Sequence, residues 1–255
     1  MILVVDVGNT HTVLGIYNGK KLKKYWRIST DLNKTEDEYG MLLKSLLDNS
    51  KLSFSDIHSV VLSCVIPPVT WILKKMSKDY FKVIAIVVGP GIKTGICIKL
   101  DNPKEVGADR IVNAIAAYDL YGGPVIIVDF GTATTFCAVD KEGNYLGGAI
   151  APGIDISEKA LSEKTAKLPK IELIDPKKCI GSNTISAMQS GIFYGYLGLT
   201  GELIRRIKKE LGEDSLVVAT GGEAELIGNT SNEIDKINPF LTLEGLRLVY
   251  EMNKI

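Results

Sequence analysis

The sequence lacks the residues that several common catalytic sites need. It has only two histidines, His11 and His58, which argues against a multi-histidine zinc site and a serine–histidine–aspartate triad. Its four cysteines are far apart and form no C-x-x-C pair, which favours buried thiols in a reducing cytoplasm. No G-x-x-x-x-G-K-[ST] segment occurs and no G-x-G-x-x-G follows the first strand-like run. The sequence therefore indicates neither a P-loop enzyme nor a dinucleotide-binding fold.

The sequence also lacks net charge and long apolar runs. Thirty basic residues balance thirty acidic ones, so nothing indicates a nucleic-acid partner or an anionic membrane surface. The lysine run at 20–24 is interpreted as a solvated loop at a hairpin tip. No stretch reaches the ~20 apolar residues of a membrane-spanning helix, and no basic segment of a secretory signal opens the chain. We therefore expect a cytoplasmic protein whose 255 residues can bury a sizeable core.

What the sequence has is an unusually polar turn after its first hydrophobic run. Residues 1–13 read MILVVDVGNTHTV, which predicts a buried strand, a turn and a second strand. The run ends on Asp6, and the following Gly8 has no side chain to keep a bound anion away from the backbone. The hydroxyls of Thr10 and Thr12 can donate hydrogen bonds to phosphate oxygens. Taken alone, the stretch is equally compatible with a plain hairpin.

The same pattern returns in the middle of the chain, where residues 125–136 read VIIVDFGTATTF. Aligned on the aspartates, the V-D-x-G of 5–8 matches that of 128–131, and Thr12 matches Thr135. This repeat predicts two similar lobes, each opening with a strand and an Asp-x-Gly turn, and a cleft where both turns could face one ligand. Carboxylates, glycines and hydroxyls in that arrangement suit a polyphosphate with its cations.

A third aspartate, Asp109, lies in the segment GADR at 107–110, directly before an apolar helical pattern. Phosphoryl transfer to an alcohol needs a base for the hydroxyl, and Asp109 is the candidate. Its neighbour Arg110 could bind an acidic group of the acceptor. The alternative is that Asp109 only caps a helix that starts near Arg110.

A long helix is predicted over 183–211, although glycines recur inside it at 191, 195, 198 and 201. Each mid-helix glycine costs about 1 kcal/mol relative to alanine. Their spacing of four and three residues predicts one flat face. We expect this face to pack closely against another helix, in the other lobe or in a second subunit.

Six segments, taken together, are specific enough to identify a family. In chain order they are DVGNT (6–10), GADR (107–110), DFGTATT (129–135), GGAIxPG (147–153), TAKLP (165–169) and TGG (220–222). With them the chain resembles a type III pantothenate kinase, of the acetate and sugar kinase, Hsp70 and actin superfamily. The resemblance spans essentially the whole chain. It implies an α/β fold of two ribonuclease H-like lobes, each a mixed sheet flanked by helices, with an interlobe cleft; we expect the lobes at 1–118 and 119–255.

The resemblance implies ATP-dependent phosphorylation of pantothenate to 4′-phosphopantothenate, the first step of coenzyme A synthesis. Asp109 would act as the general base, Asp129 would bind a monovalent cation (K⁺ or NH₄⁺), and Mg²⁺ would arrive with ATP. The implied ATP contacts are Asp6, Val7, Gly8, Asn9, Thr10, His11, Thr12, Val13 and Thr132, with Gly221 and Gly222 on the nucleotide side. The implied pantothenate contacts are Gly107, Ala108, Asp109, Arg110 and Thr184.

The resemblance also implies a homodimer whose acceptor pocket is completed at the subunit interface. Two alternatives remain open from the residues. One is a kinase of the same superfamily that acts on another small alcohol. The other is a non-catalytic regulatory relative, which should have lost Asp109 or one Asp-x-Gly turn, and all three are present.

Overall fold

The computed structural model describes residues 1–254, so Ile255, the last residue of the predicted second lobe, lies outside them. The chain groups into two compact units. The first contains Met1–Gly95, Asn102–Ala116 and the residues from Leu241 on, and the second contains Ile96–Asp101 and Ala117–Phe240. The C-terminal helix thus groups with the first unit, whereas the two-segment prediction places it with the second. It does so because it packs on three strands of the first sheet.

The first unit is built on a five-stranded mixed sheet. Its strands are β1 (Ile2–Val7), β2 (His11–Asn18), β3 (Lys21–Ser29), β4 (Ser59–Cys64) and β5 (Ile86–Val87), in the order β3-β2-β1-β4-β5. β1 is antiparallel to β2 and parallel to β4. The helices of this unit are α1 (Glu36–Asn49), α2 (Pro67–Phe81), the first part of α3 (Ala108–Tyr121) and α7 (Leu241–Asn253).

The second unit is built on a six-stranded mixed sheet. Its strands are β6 (Cys97–Ile98), β7 (Val125–Phe130), β8 (Ala133–Val139), β9 (Asn144–Pro152), β10 (Leu216–Gly221) and β11 (Lys236–Ile237), in the order β11-β10-β7-β8-β9-β6. β7 is antiparallel to β8 and parallel to β10. Its helices are the end of α3, then α4 (Ile154–Lys164), α5 (Thr184–Leu211) and α6 (Ala224–Gly228).

The two sheets share one topology, which confirms the predicted doubling of the fold. The order β9-β8-β7-β10-β11 reproduces β3-β2-β1-β4-β5 with the same strand directions, and β6 only adds an edge. In each unit the first strand alternates between two faces. Leu3 and Val5 of β1 enter a core shared with α1 and α2, and Ile126 and Val128 of β7 enter a core shared with α5.

The interpretation of the lysine run as a solvated loop is correct in its exposure and for Lys20, which lies in the turn, but wrong for the three lysines that follow, which belong to a strand. Lys21, Lys23 and Lys24 lie at the start of β3, the edge strand of the first sheet, and all three are exposed. Charged residues are common on such edges because they discourage pairing with another chain. Within residues 1–254, no helix combines the length and apolar character needed to cross a membrane.

Candidate functional site

The first Asp-x-Gly turn, residues 8–10, is held by one residue that directly follows β3. Thr30 donates its backbone N–H to the Thr10 carbonyl at 3.0 Å and its hydroxyl to the Gly8 carbonyl at 2.8 Å. The Thr12 hydroxyl lies 2.9 Å from the same Thr30 oxygen. The tip of the turn stays exposed. Thr30 therefore fixes the backbone of the turn, while the exposed Asn9 and Thr10 at its tip remain accessible to a ligand.

The other predicted residues of this segment differ in what they can offer. Asp6 is half-buried at the end of β1 and pairs in register with Val13 of β2. The Val7 side chain is fully buried, so only its backbone can contact a ligand. His11 accepts a hydrogen bond at Nδ1 from the Arg27 guanidinium at 2.8 Å. Since a guanidinium can only donate, the ring proton of neutral His11 lies on Nε2.

The second Asp-x-Gly turn, residues 131–132, has the same backbone support. Gly153 directly follows β9, as Thr30 follows β3, and donates its N–H to the Thr132 carbonyl at 3.1 Å. A Cβ at position 153 would lie 2.1 Å from that oxygen. Only glycine fits there, because the colliding atom belongs to the backbone. Thr132 itself is exposed.

The register of the second turn corrects one detail of the predicted repeat. Thr12 pairs with Val7, and its equivalent opposite Phe130 is Thr134. The match of Thr12 to Thr135 is therefore wrong, because the second turn is one residue shorter. Thr134 is fully buried, and its hydroxyl has no hydrogen-bond partner among the described residues. Thr12 has the Thr30 hydroxyl as a partner, whereas Thr134 has no such partner because Gly153, which takes the place of Thr30, has no side chain.

Asp129 lies at the end of β7 against the predicted nucleotide-side glycines. Gly221 ends β10 with a φ of +95°, a conformation that L side chains rarely adopt. A Cβ there would lie 2.6 Å from Asp129 Oδ1 and 2.5 Å from the Phe130 carbonyl. Gly222 donates its N–H to the same Phe130 carbonyl at 3.0 Å. Gly221 and Gly222 thus allow the end of β10 to approach the Asp129 carboxylate closely.

Asp109 is the second residue of α3, not the cap of a later helix. The helix begins at Ala108, and Ile111 N–H donates to the Gly107 carbonyl at 3.2 Å, so Gly107 occupies the capping position. The alternative of a helix that starts near Arg110 with Asp109 as its cap is wrong. The Oδ1 atom of Asp109 is buried, and no residue of 1–254 hydrogen-bonds it. A Cβ on Gly107 would lie 2.3 Å from that oxygen.

Thr184 is the first residue of α5 and lines an open, mostly apolar cavity of about 680 Å³. Asn183 caps the helix and accepts a hydrogen bond from Ser186 N–H at 3.0 Å. The cavity lies between α4, α5 and the end of β9, and Gly191 and Gly195 form part of its wall. A Cβ on either glycine would meet no atom of the described residues within 4 Å.

The predicted residues are divided between the two units. The first unit holds the segment 6–13 and the GADR segment, and the second holds Asp129, Thr132, Gly221 and Thr184. No three His, Cys, Asp or Glu side chains within residues 1–254 form a group that could hold a metal ion. Sequence reasoning missed Thr30. The repeat could have indicated Thr30, because it directly follows the third strand of the first unit, as Gly153 follows the third strand of the repeat.

Comparison with known proteins gives one concordant family. The family model of type III pantothenate kinases matches residues 2–206. A curated type III pantothenate kinase from Bacillus cytotoxicus is 55% identical over 255 residues, which are 100% of this chain and 97% of that protein.

Two solved structures share the fold at low sequence identity. A putative Baf family transcriptional activator from Campylobacter jejuni has a TM-score of 0.62 at 19% identity, and the alignment covers 99% of this chain and 98% of that one. The activator of the 2-hydroxyisocaproyl-CoA dehydratase from Clostridium difficile, with bound ADPNP, has a TM-score of 0.52 at 15% identity, covering 98% and 93%.

Proposed function

Because the chain belongs to the type III pantothenate kinase family, we propose that Asp109 is the residue on which its reaction depends. The enzyme transfers the terminal phosphoryl group of ATP to the primary hydroxyl of pantothenate, giving ADP and 4′-phosphopantothenate. One observation carries the role of Asp109: its buried Oδ1 has no hydrogen-bond partner among the described residues. Such an atom costs free energy unless a ligand completes it.

In the proposed step, the acceptor hydroxyl donates its proton to the Asp109 carboxylate while its oxygen attacks the terminal phosphorus of ATP. The bond from phosphorus to the bridging oxygen breaks, and ADP leaves with the electron pair. Gly107 has no Cβ, so the Asp109 carboxylate can lie close to the backbone there. Gly107 and Ala108 contact pantothenate beside this carboxylate. Arg110, half-buried one residue further on, provides a cation for the pantothenate carboxylate. Thr184 contacts the acceptor from the rim of the α4–α5 cavity.

The Asp-x-Gly turn of each unit is a proposed ATP contact. Residues 6–13 provide N–H groups and the hydroxyl of Thr10. Val7 and Thr12 contribute only their backbone, because both side chains are buried and the Thr12 hydroxyl is paired with Thr30. Thr132 adds a hydroxyl from the second turn. Gly221 and Gly222 lie on the nucleotide side. The divalent cation comes with ATP, in keeping with Mg²⁺, which is usually held by few carboxylates and by substrate phosphates.

A monovalent cation, K⁺ or NH₄⁺, binds at Asp129. The residues around it fit such an ion, since one carboxylate and the nearby Phe130 carbonyl suit a singly charged ion better than a divalent one. When bound, the cation offsets the negative charge of the transferring phosphate.

Replacing K⁺ by Na⁺ should therefore cut turnover sharply, while Asp129→Asn should lower turnover and remove the difference between the two salts. Initial rates at constant ionic strength, with tetramethylammonium chloride as the balancing salt, measure this. Equal rates in K⁺ and Na⁺ for the wild-type protein would contradict the cation role of Asp129.

The active form is a cytoplasmic homodimer that uses the glycine face of α5. The four cysteines are free thiols, but only Cys137 is buried, so the expectation of buried thiols is wrong for the exposed Cys97 and Cys179. Gly191, Gly195 and Gly198 are exposed, and a Cβ on each would meet nothing within 4 Å among the described residues. A second copy of the chain would cover this face and the cavity beside it.

An ADP-release assay with pantothenate, Mg²⁺ and K⁺ tests the proposed function. We expect pantothenate-dependent turnover, and other small alcohols should neither replace pantothenate nor compete with it. A folded sample that binds ATP but shows no turnover above background would contradict the assignment. Turnover with a different alcohol at higher kcat/KM would identify another kinase of the superfamily.

A further inference from the structure

We propose that Tyr196 of α5 is a positioning residue that holds the second Asp-x-Gly turn in its nucleotide-binding shape. The proposal rests on the proposed function only in taking residues 131–132 as an ATP contact. Tyr196 is far from this turn in the sequence and belongs to none of the motifs discussed above. Its link to the turn runs through the peptide that joins β9 to α4.

The Tyr196 hydroxyl is held by three partners at that junction. It donates toward the carbonyl oxygens of Pro152 at 2.9 Å and Gly153 at 3.0 Å, and it accepts from the Ser157 hydroxyl at 2.5 Å. Only 7% of Tyr196 is exposed. A buried hydroxyl with this many partners fixes the local backbone strongly, because breaking the bonds would leave polar atoms unpaired.

The peptide that Tyr196 holds is the one that supports the turn. Gly153 donates its N–H to the Thr132 carbonyl at 3.1 Å. A Cβ on Gly153 would lie 2.1 Å from that oxygen and 2.5 Å from the Gly131 carbonyl. The two backbones are thus in direct contact, so a shift of Gly153 must move the turn.

The first unit shows which group Tyr196 replaces. There Thr30 occupies the place of Gly153, and its backbone N–H makes the equivalent bond to the Thr10 carbonyl at 3.0 Å. Thr30 also has a hydroxyl, which donates to the Gly8 carbonyl at 2.8 Å. Position 153 cannot carry a hydroxyl because no Cβ fits. Tyr196 provides a hydroxyl from a different element. It does not bond the turn directly, as Thr30 does, but holds the Pro152 and Gly153 carbonyls and so anchors the turn through the Gly153 backbone.

The test compares Tyr196→Phe with Tyr194→Phe in the full-length protein. Tyr194 lies on the same helix and its hydroxyl also donates to a proline carbonyl, that of Pro176 at 3.1 Å, so it is a matched control. Calorimetric titration with Mg²⁺–ADP, without acceptor, should show weaker binding for Tyr196→Phe, by up to about tenfold, because part of the binding free energy must then restore the shape of the turn. Tyr194→Phe should bind like the wild type. The KM for ATP should rise in Tyr196→Phe by more than the KM for pantothenate, which can change as well because Tyr196 also lines the α4–α5 cavity.

Hydrogen exchange separates local positioning from general loss of stability. In Tyr196→Phe we expect faster amide exchange confined to residues 130–134 and 153. Equal nucleotide affinity in both variants, a rise in the pantothenate KM alone, or faster exchange across the whole second unit would each overturn the proposal. Binding and exchange need no pantothenate turnover, so a failure of the proposed function would leave this test intact.

Discussion

The observed position of Asp109 differs from the helix-capping role that its local sequence predicts. An aspartate before an apolar helical pattern normally caps the helix, yet here Gly107 occupies the cap position and Asp109 lies inside the first turn. Its buried Oδ1 lacks a partner among the described residues. The sequence could identify Asp109 as a candidate, but it could not separate the two roles because a shift of two residues in the helix start decides between them.

Replacing Asp109 by asparagine should remove most turnover and leave the fold intact. General-base catalysis typically contributes about 10²- to 10⁴-fold, so we expect kcat to fall by that order. Steady-state kinetics with pantothenate measure the loss. Asp155→Asn is the matched control, because Asp155 is also the second residue of its helix, α4, and is exposed. Both variants lose a similar helix-dipole interaction, so near-normal activity in Asp109→Asn would show a purely structural role.

Gly107→Ala should displace the Asp109 carboxylate without unfolding the protein. The new Cβ would lie 2.3 Å from Asp109 Oδ1, and a side chain can rotate away where a backbone could not. We expect kcat to drop about tenfold or more, since small misplacements of reacting groups are costly, with a melting temperature close to the wild type. Gly89→Ala is the control, because a Cβ there meets nothing within 4 Å among residues 1–254. Equal kcat in the two variants would contradict this role of Gly107.

At the scale of elements, long periodic segments were predictable and very short ones were not. Local sequence pattern predicts the helix α5 and the strands β1 and β7. It also predicts the capping box at the start of α1. β6 and β11 have only two residues each, too few to show a period. β5 was within reach, because its two residues lie inside the apolar run at 83–88, which predicts a strand. The register error at Thr135 has a different origin. The alignment assumed turns of equal length, whereas four residues separate Val7 from Thr12 and three separate Phe130 from Thr134.

The glycine face of α5 makes a prediction about assembly. Gly198→Leu adds a side chain where the described residues leave open space, so the single chain should tolerate it, and the added helix propensity should favour the helix by up to ~1 kcal/mol. A close helix contact with a second copy would be blocked. Sedimentation velocity should therefore show a shift from dimer to monomer.

Lys209→Leu provides the control for this experiment, since it places the same side chain at an exposed position near the end of the same helix. It should remain dimeric. A Gly198→Leu protein that sediments as a dimer would rule out this face as the interface.

At the scale of the whole molecule, a buried polar contact accompanies the packing of the C-terminal helix on the first sheet. Arg247 of α7 is almost fully buried and donates to Glu244 Oε1 at 2.8 Å through Nε. Tyr17 of β2 is buried beside them, and burial, together with the negative charge of Glu244 and a hydrogen bond to it, raises the pKa of Tyr17 far above its ordinary value. This contact joins residues more than two hundred positions apart, so no local pattern could have predicted it.

The raised pKa of Tyr17 should make the protein less stable at high pH. The unfolded chain loses the phenolic proton near pH 10, whereas the folded protein retains it. The stabilisation is thus complete below about pH 10 and is lost as the pH rises further, by at most ~1.4 kcal/mol per pH unit from this group. Urea unfolding between pH 8.5 and 11 should show a shallower decline for Tyr17→Phe than for the wild type.

Tyr25→Phe is the control for the alkaline series, because Tyr25 is 54% exposed. It should follow the wild-type pH dependence. Parallel curves for the wild type and Tyr17→Phe would contradict the effect of burial on Tyr17.

The different anchors of the two turns have a consequence for synthesis on the ribosome. The first turn is held by Thr30, so its supporting bonds can form once the first three strands have emerged. The second turn depends on Tyr196, which is 43 residues beyond Gly153. Chains emerge N-terminal end first, and closing a longer loop costs more entropy. A nascent chain can therefore complete its first phosphate turn early, while the second must wait for α5 to be translated.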